Sequence, residues 1–134
     1  MSFKAISDIA GSAMAAQTTR LNTIASNLAN ATSAAGTEAE AYHARKPVFA
    51  ALPSGPNGAR VQVMDVIEST ESLRQVYEPQ HPLANEQGMV FYPNVNSVAE
   101  MTDMLSASRA FESNVEVLGR VKSMQNALLR MGEN

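Results

Sequence analysis

The sequence contains no cysteine and no tryptophan among its 134 residues, and aromatic residues make up only 5% of it. The absence of cysteine excludes disulfides, thiolate nucleophiles and cysteine-based metal sites. The scarcity of aromatic residues leaves little bulky material for a core, so we expect the isolated chain to be only marginally stable. Methionine, by contrast, is frequent, with 8 residues.

Strong charge and long apolar runs are also missing. The formal net charge is −3, which argues against a nucleic-acid binder because such proteins normally present a basic face. No stretch approaches the about 18 apolar residues needed to span a bilayer, and we expect no direct lipid binding. The first residues, "MSFKAISDIAGSAMAAQ", include Asp8 and two serines where a cleavable signal peptide needs an apolar stretch. By the general export route such a chain would stay in the cytoplasm.

Patterns typical of catalysis are weak. His43 and His81 lie far apart in predicted loops and do not form a helical metal-ligand spacing. A zinc site built from both histidines and Glu78 is an alternative, but solvated or turn-capping histidines explain the pattern more simply. The sequence has no G-x-S-x-G elbow and no phosphate-binding glycine loop. We therefore predict that the protein is not an enzyme and has no cofactor or metal site.

Both ends of the chain have the periodicity of long helices. Apolar residues recur at spacings of 3 and 4, which is a heptad-like seam, and Asn96 or Ser97 can cap the second helix. We predict that these seams form an assembly interface. Its residues are Met14, Leu21, Ile24 and Leu28 on the first helix, and Met101, Met104, Leu105, Phe111, Val115, Leu118 and Val121 on the second.

The seams are thin, since serines and alanines interrupt them. Methionines on the second helix provide an adaptable surface, and we interpret this stripe as packing on a partner chain because it has no full partner within the sequence. The small residues have two possible explanations, a weakly packed surface or dense lateral packing of many helices. Composition leaves both open.

The middle of the chain has the pattern of strands and turns. All 6 prolines lie between residues 47 and 93, and proline interrupts long helices. The stretch "PSGPNG" is a strong turn signal, in which Asn57 and Gly58 suit positive φ, and it predicts a hairpin. The hairpin strands are "PVFAAL" and "ARVQVMDVIES", and two further short strands are "LRQVYEP" and "GMVFYP".

These patterns predict three segments. Residues 1–31 form an N-terminal coiled-coil helix, residues 32–96 a loop and a small β-rich insert, and residues 97–134 a C-terminal coiled-coil helix. The predicted fold class is therefore mainly α with a small β-rich insert, in which the two long terminal helices pair as an antiparallel coiled coil.

Three stretches of the sequence resemble the bacterial flagellar axial proteins of the rod and hook. "YPNVNSVAEMTDMLSASRAFESNVEVL" is similar to their C-terminal signature, and "RLNTIASNLANATSAAGTEAEAYHARKPVF" to their N-terminal motif, a helix ending in N-x-A-N. "VYEPQHPLANEQGMVFYPNVN" resembles the segment that precedes the last helix in proximal-rod members. The likeness covers nearly the whole chain in matching order, although the loop at 32–41 lacks the usual Gly-Tyr pairing.

The resemblance implies a structural subunit of the proximal rod in the flagellar basal body. Such subunits assemble helically around a channel, and the rod transmits motor torque to the hook and filament. The implied partners are other copies of the chain, other proximal and distal rod proteins, and the ring–rod junction protein. The resemblance also implies export in the unfolded state through the flagellar type III apparatus, without a cleaved signal peptide, into a rod that spans the periplasm.

A cytoplasmic coiled-coil adaptor or an export chaperone of the flagellar system is the alternative function. It would share the helical ends and the lack of catalytic groups. It would have no need of the "NLAN" and "YPNVN" motifs.

Overall fold

The computed structural model describes residues 2–133, in which two long helices flank four strands. The helices are α1 (Phe3–Ala29) and α2 (Ser97–Gly132). The strands are β1 (Arg45–Pro53), β2 (Ala59–Glu68), β3 (Arg74–Tyr77) and β4 (Met89–Tyr92). Residues 1 and 134, the outermost positions of the two predicted terminal segments, lie outside the described residues.

Polar side chains cap the first turn of both helices. The Ser2 hydroxyl accepts a hydrogen bond from the Ala5 N–H at 3.1 Å, and the Asn96 side chain accepts one from the Ala99 N–H at 3.2 Å. Each cap satisfies one of the amide groups that a helix start leaves without a partner. Of the two residues predicted to cap the second helix, Asn96 and Ser97, the structure has Asn96 as the cap.

The predicted hairpin is confirmed as an antiparallel pair of β1 and β2, with a bulge between Val48 and Phe49. Positive φ in its turn occurs at Gly55, at 76°, and not at the Asn-Gly pair that the sequence favoured. Gly58 has a different role, because a Cβ there would lie 2.4 Å from the carbonyl oxygen of Ser54. That close approach closes the turn and requires glycine.

The second sheet pairs β3 with β4 and anchors the long loop that follows α1. Ala35 and Phe91 exchange two backbone hydrogen bonds of 2.9 and 2.8 Å, so the loop at 32–41 is tied to β4. Ala35, Ala41 and Leu73 form a small buried cluster against which Phe91 packs. Gly36 lies close to the loop between β3 and β4, and a Cβ at Gly36 would lie 2.9 Å from the carbonyl oxygen of Leu83.

The predicted fold class is wrong in two respects. Helix accounts for about 48% of the described residues and strand for about 21%, in two separate antiparallel sheets, which is more than a small insert. The two helices pack against each other, but the predicted antiparallel coiled coil is not found.

The reason for the second error lies in the face that α2 buries. Its buried residues are Glu100, Ala107 and Val121, of which only Val121 belongs to the predicted seam. Met101 and Leu105 of that seam remain 54% and 62% exposed. Periodicity identified the apolar residues but combined two faces of the helix. Predicted residues that share the stripe of Ala107 are buried or half-buried, namely Met104, Phe111, Leu118 and Val121, whereas Met101, Leu105 and Val115 lie outside it. The distance between packed helices depends on the side chains at the contact, and a small residue such as alanine allows a close approach.

Candidate assembly interface

Small residues and one ion pair mark the contact between the helices. Among the described elements α2 packs on α1 and on none of the strands, so Ala107, at 0% exposed, faces α1. The guanidinium of Arg20 donates from Nη2 to Asp103 Oδ1 at 2.6 Å across the two helices. The Asp103 side chain is half exposed, and such pairs contribute about 1 kcal/mol or less. Close packing is therefore the larger source of stability at this contact.

The structure distributes the predicted interface residues over three environments. Ile24 and Val121 are buried, at 2% and 5% exposed. Met101, Leu105 and Val115 are exposed. The half-buried residues are Met14, Leu21, Leu28, Met104, Phe111 and Leu118. Their role in assembly stays a prediction, and the exposed members are the ones accessible to another chain.

The last turns of α2 carry apolar residues that the predicted interface did not include. Val121 is the last buried residue of this helix, and every residue from 122 to 132 is exposed. Met124, Leu128, Leu129 and Met131 are each more than half exposed. Their signal was present in the sequence, since Val121, Met124, Leu128 and Met131 continue the spacing of 3 and 4. Long helices draw most of their stability from packing, and these turns have none within the described chain.

The β1–β2 hairpin lies on α1 and presents a second apolar surface. The Ser12 hydroxyl accepts a hydrogen bond from the Val61 N–H at 2.9 Å and thereby ties β2 to the helix. On the hairpin, hydrophobic side chains remain exposed at Val48, Met64, Val66 and Ile67. The subunit thus has exposed apolar residues on two different elements, the hairpin and α2.

Asn27, the first asparagine of the "NLAN" motif, fastens the end of α1 to the start of β1. It is 1% exposed, and its Oδ1 accepts hydrogen bonds from the Tyr42 hydroxyl at 2.8 Å and the Arg45 N–H at 3.0 Å. Its Nδ2 donates to the Arg45 carbonyl at 2.9 Å. A single amide side chain supplies both donors and acceptors, which is why asparagine suits this buried position.

Asn94, in the "YPNVN" motif, makes a related contact from the segment between β4 and α2. Its Oδ1 accepts from the Ala44 N–H at 2.7 Å, and its Nδ2 donates to the Glu71 carbonyl at 2.9 Å. Sequence reasoning noted both motifs as points of resemblance but assigned no role to either asparagine. The only sequence signal for Asn27 was an asparagine among the apolar residues of the predicted first helix. For Asn94 the spacing of residues gave no signal.

Two of the three residues of the alternative zinc site, His81 and Glu78, have other partners. His81 Nδ1 accepts a hydrogen bond from the Leu83 N–H at 3.0 Å within a turn. The Tyr92 hydroxyl donates to Glu78 Oε2 at 3.0 Å. This hydrogen bond and, to a smaller extent, desolvation raise the pKa of Tyr92. Over residues 2–133, no three histidine, aspartate or glutamate side chains are grouped so that they could hold a metal ion. The described residues also include no helix long and apolar enough to cross a membrane.

Two family models match the parts of the chain that build these contacts. The model described as "Flagella basal body rod protein" matches residues 8–32, which include most of α1 and Asn27. The model described as "Flagellar basal body rod FlgEFG protein C-terminal" matches residues 86–131, which include β4, Asn94 and nearly all of α2.

Relatives that carry the name "Flagellar basal-body rod protein FlgC" align with almost the whole chain. The protein of Escherichia coli O6:H1 is 50% identical over 130 residues, 96% of each chain. The protein of Salmonella typhimurium is 49% identical over 130 residues, again 96% of each, and that of Yersinia enterocolitica is 44% identical over 135 residues, 99% of this chain and 100% of the relative. The rod interpretation is confirmed over that of a cytoplasmic adaptor or chaperone. The chain belongs to the FlgC family of flagellar basal-body rod proteins and is a structural subunit of that rod.

Proposed function

We propose that this rod subunit assembles with copies of itself and with other rod proteins, proximal and distal, through the apolar surface of α2. The observation that carries the proposal is the exposure of Met101, Leu105 and Val115, at 54%, 62% and 46%, in the lone chain. Exposed apolar residues at helical spacing are typical of protein contact sites. Membership of a structural family implies a non-enzymatic role.

The three segments have different tasks in this proposal. Residues 1–31 and 97–134 form the packed shaft, and residues 32–96 lie outside it and add contacts between subunits. An open helical assembly needs heterologous interfaces, in which two different surfaces of a subunit meet. The exposed apolar residues of α2 and of the hairpin supply two such surfaces.

The proposed mechanical role follows from helices held along their length. A helix tied laterally to its neighbours resists twisting, so a tube of such subunits transmits motor torque to the hook and filament. At its base the tube contacts the ring–rod junction protein.

The proposed route to the rod is the flagellar type III export apparatus, which passes the chain unfolded, without a cleaved signal peptide, toward the periplasm. A small core favours this route because it makes unfolding easy. Val90 and Asn27 are the largest residues with less than 2% of their surface exposed. A chain with so few bulky buried side chains is expected to have a low free energy of unfolding.

The test is incorporation into isolated hook–basal bodies. The chain is expressed in a flagellated host whose own rod protein of this family has been deleted, and it is expected to restore motility and to be present in the particles. Leu105→Gln and Leu128→Gln should prevent incorporation, because both replace exposed apolar side chains with polar ones. Both purified variants should unfold at the temperature of the native chain. Thr102→Gln, at an exposed polar position of the same helix, is the matched control.

Two outcomes contradict the proposal, and they can be told apart. Failure of the native chain to restore particles in the deletion host, under conditions in which the host's own rod protein restores them, would count against assembly in the rod. Native-level incorporation of both glutamine variants would show that the surface of α2 is not the assembly contact.

A further inference from the structure

Two asparagines that are far apart in the sequence hold neighbouring residues at the start of the hairpin. The Ala44 N–H donates to Asn94 Oδ1, and the adjacent Arg45 N–H donates to Asn27 Oδ1. Asn27 belongs to the end of α1, and Asn94 lies directly before α2. Residues 44–45, which we name the junction, lead straight into the hairpin. The two helices and the hairpin are therefore coupled through two side-chain amides.

Each asparagine also donates a hydrogen bond to a backbone carbonyl near the base of the hairpin. Asn94 also donates to the carbonyl of Glu71, which follows β2, so this side chain bridges the residues on either side of the hairpin. Asn27 also donates to the carbonyl of Arg45, so its side-chain amide binds both backbone groups of the first residue of β1. Ser69, just after β2, donates its N–H to the Ala44 carbonyl at 2.7 Å and closes the base of the hairpin.

We propose that Asn27 and Asn94 act together as a latch on the junction, and that this latch orients the base of the hairpin only when the end of α1 and the segment before α2 are both in place. If the segment before α2 is displaced, the Ala44 N–H and the Glu71 carbonyl lose their partner. If the end of α1 is displaced, the Arg45 N–H and carbonyl lose theirs. The latch therefore makes the direction of the hairpin depend on the folding of both helices. Its purpose rests on the proposed function: a subunit presents its hairpin to neighbours only after its two ends have folded.

The latch differs from two independent loop anchors in one measurable respect. Residues that share a network are energetically coupled, whereas separate contacts add. If Asn94 is removed, a latch loosens the Arg45 N–H as well as the Ala44 N–H, although Asn94 does not bond to Arg45. Independent anchors loosen only the amide that has lost its acceptor.

The experiment is amide hydrogen exchange, residue by residue, on the purified full chain. Asn94→Ala is expected to speed exchange roughly tenfold at Ala44, as loss of a hydrogen bond to a sheltered amide predicts, and to speed exchange at Arg45 as well. Asn27→Ala is expected to produce the same pair of changes. The amide of Ile24, on the buried face of α1, reports the global loss of stability, so the change at Arg45 in Asn94→Ala is expected to exceed the change at Ile24.

Asn30→Ala is the matched control. Asn30 is the last residue of the "NLAN" motif, but its Nδ2 donates to the Ser26 carbonyl of its own helix at 2.8 Å. Exchange at Ala44 and Arg45 should be unchanged in this variant. The double variant Asn27→Ala/Asn94→Ala should exchange at these two amides no faster than the faster of the single variants.

A change confined to Ala44 in Asn94→Ala would overturn the latch, and so would additive effects in the double variant. If Asn27→Ala does not fold, the rate at Arg45 in Asn94→Ala decides the question alone. The measurement uses the isolated subunit, so its failure would leave the proposed assembly in the rod untouched. Failure of the complementation experiment would equally leave the exchange result intact.

Discussion

Replacement of Ala107 by leucine tests the close approach of the two helices. Ala107 has no exposed surface and lies on the face of α2 that packs on α1. Leucine adds three carbon atoms at a position with no free space, and overpacking of this kind costs roughly 1–3 kcal/mol. For a chain of this length each kcal/mol lowers Tm by roughly 3–5 °C. We therefore expect Ala107→Leu to unfold several degrees below the native chain.

The assay is thermal unfolding of the purified chain, followed by circular dichroism. All variants are compared at one protein concentration, because self-association would raise Tm by mass action. Ala127→Leu is the control, since Ala127 is exposed on the same helix and its change should stay within about 0.5 kcal/mol. Equal unfolding temperatures for Ala107→Leu and Ala127→Leu would refute the argument that alanine sets the helix spacing.

Two further predictions concern glycine and tyrosine. Gly88 has φ of 75°, and a Cβ there would lie 2.8 Å from Tyr77 Cε2, so Gly88→Ala should lower the free energy of unfolding by about 1–3 kcal/mol. Gly119→Ala, in a helix with open space around it, should raise the free energy of unfolding by about 1 kcal/mol. In urea unfolding, an increase for Gly88→Ala or a decrease for Gly119→Ala would contradict the corresponding estimate. The hydrogen bond to Glu78 and, to a smaller extent, desolvation raise the pKa of Tyr92. The stability that the protonated Tyr92 hydroxyl contributes is therefore present below the ordinary tyrosine pKa of 10.0 and is lost as pH rises through the raised pKa. Glu78→Gln should move the tyrosinate absorbance titration of Tyr92 to lower pH, and an unchanged titration would show that the carboxylate is not the cause.

The hairpin illustrates what local chemistry predicts well. Alternating valines on one side of a proline- and glycine-rich turn predicted both strands, and their pairing is set by contacts between residues close in sequence. The backbone of the turn was harder to predict. Positive φ falls on Gly55, whereas the second glycine of the turn, Gly58, is required by its close approach to the Ser54 carbonyl oxygen.

The helix contact illustrates the opposite case. Met101 and Leu105 are the most conspicuous apolar residues at the start of α2, and periodicity placed them in a seam with α1. In the structure both are mostly exposed, and Ala107 faces α1 in their place. An apolar stripe marks a face that some surface will cover, but it does not say which surface.

Sequence alone determined the two helices, the hairpin, the lack of catalytic patterns and, through its motifs, the family resemblance. Each of these depends on spacing or turn chemistry within a short stretch of chain. Only the tertiary structure decided which face of α2 meets α1, how the loop at 32–41 joins β4, and what Asn27 and Asn94 hold. These contacts join residues far apart in the chain, and a hydrogen bond between a side-chain amide and a distant backbone group leaves no periodic trace in the sequence.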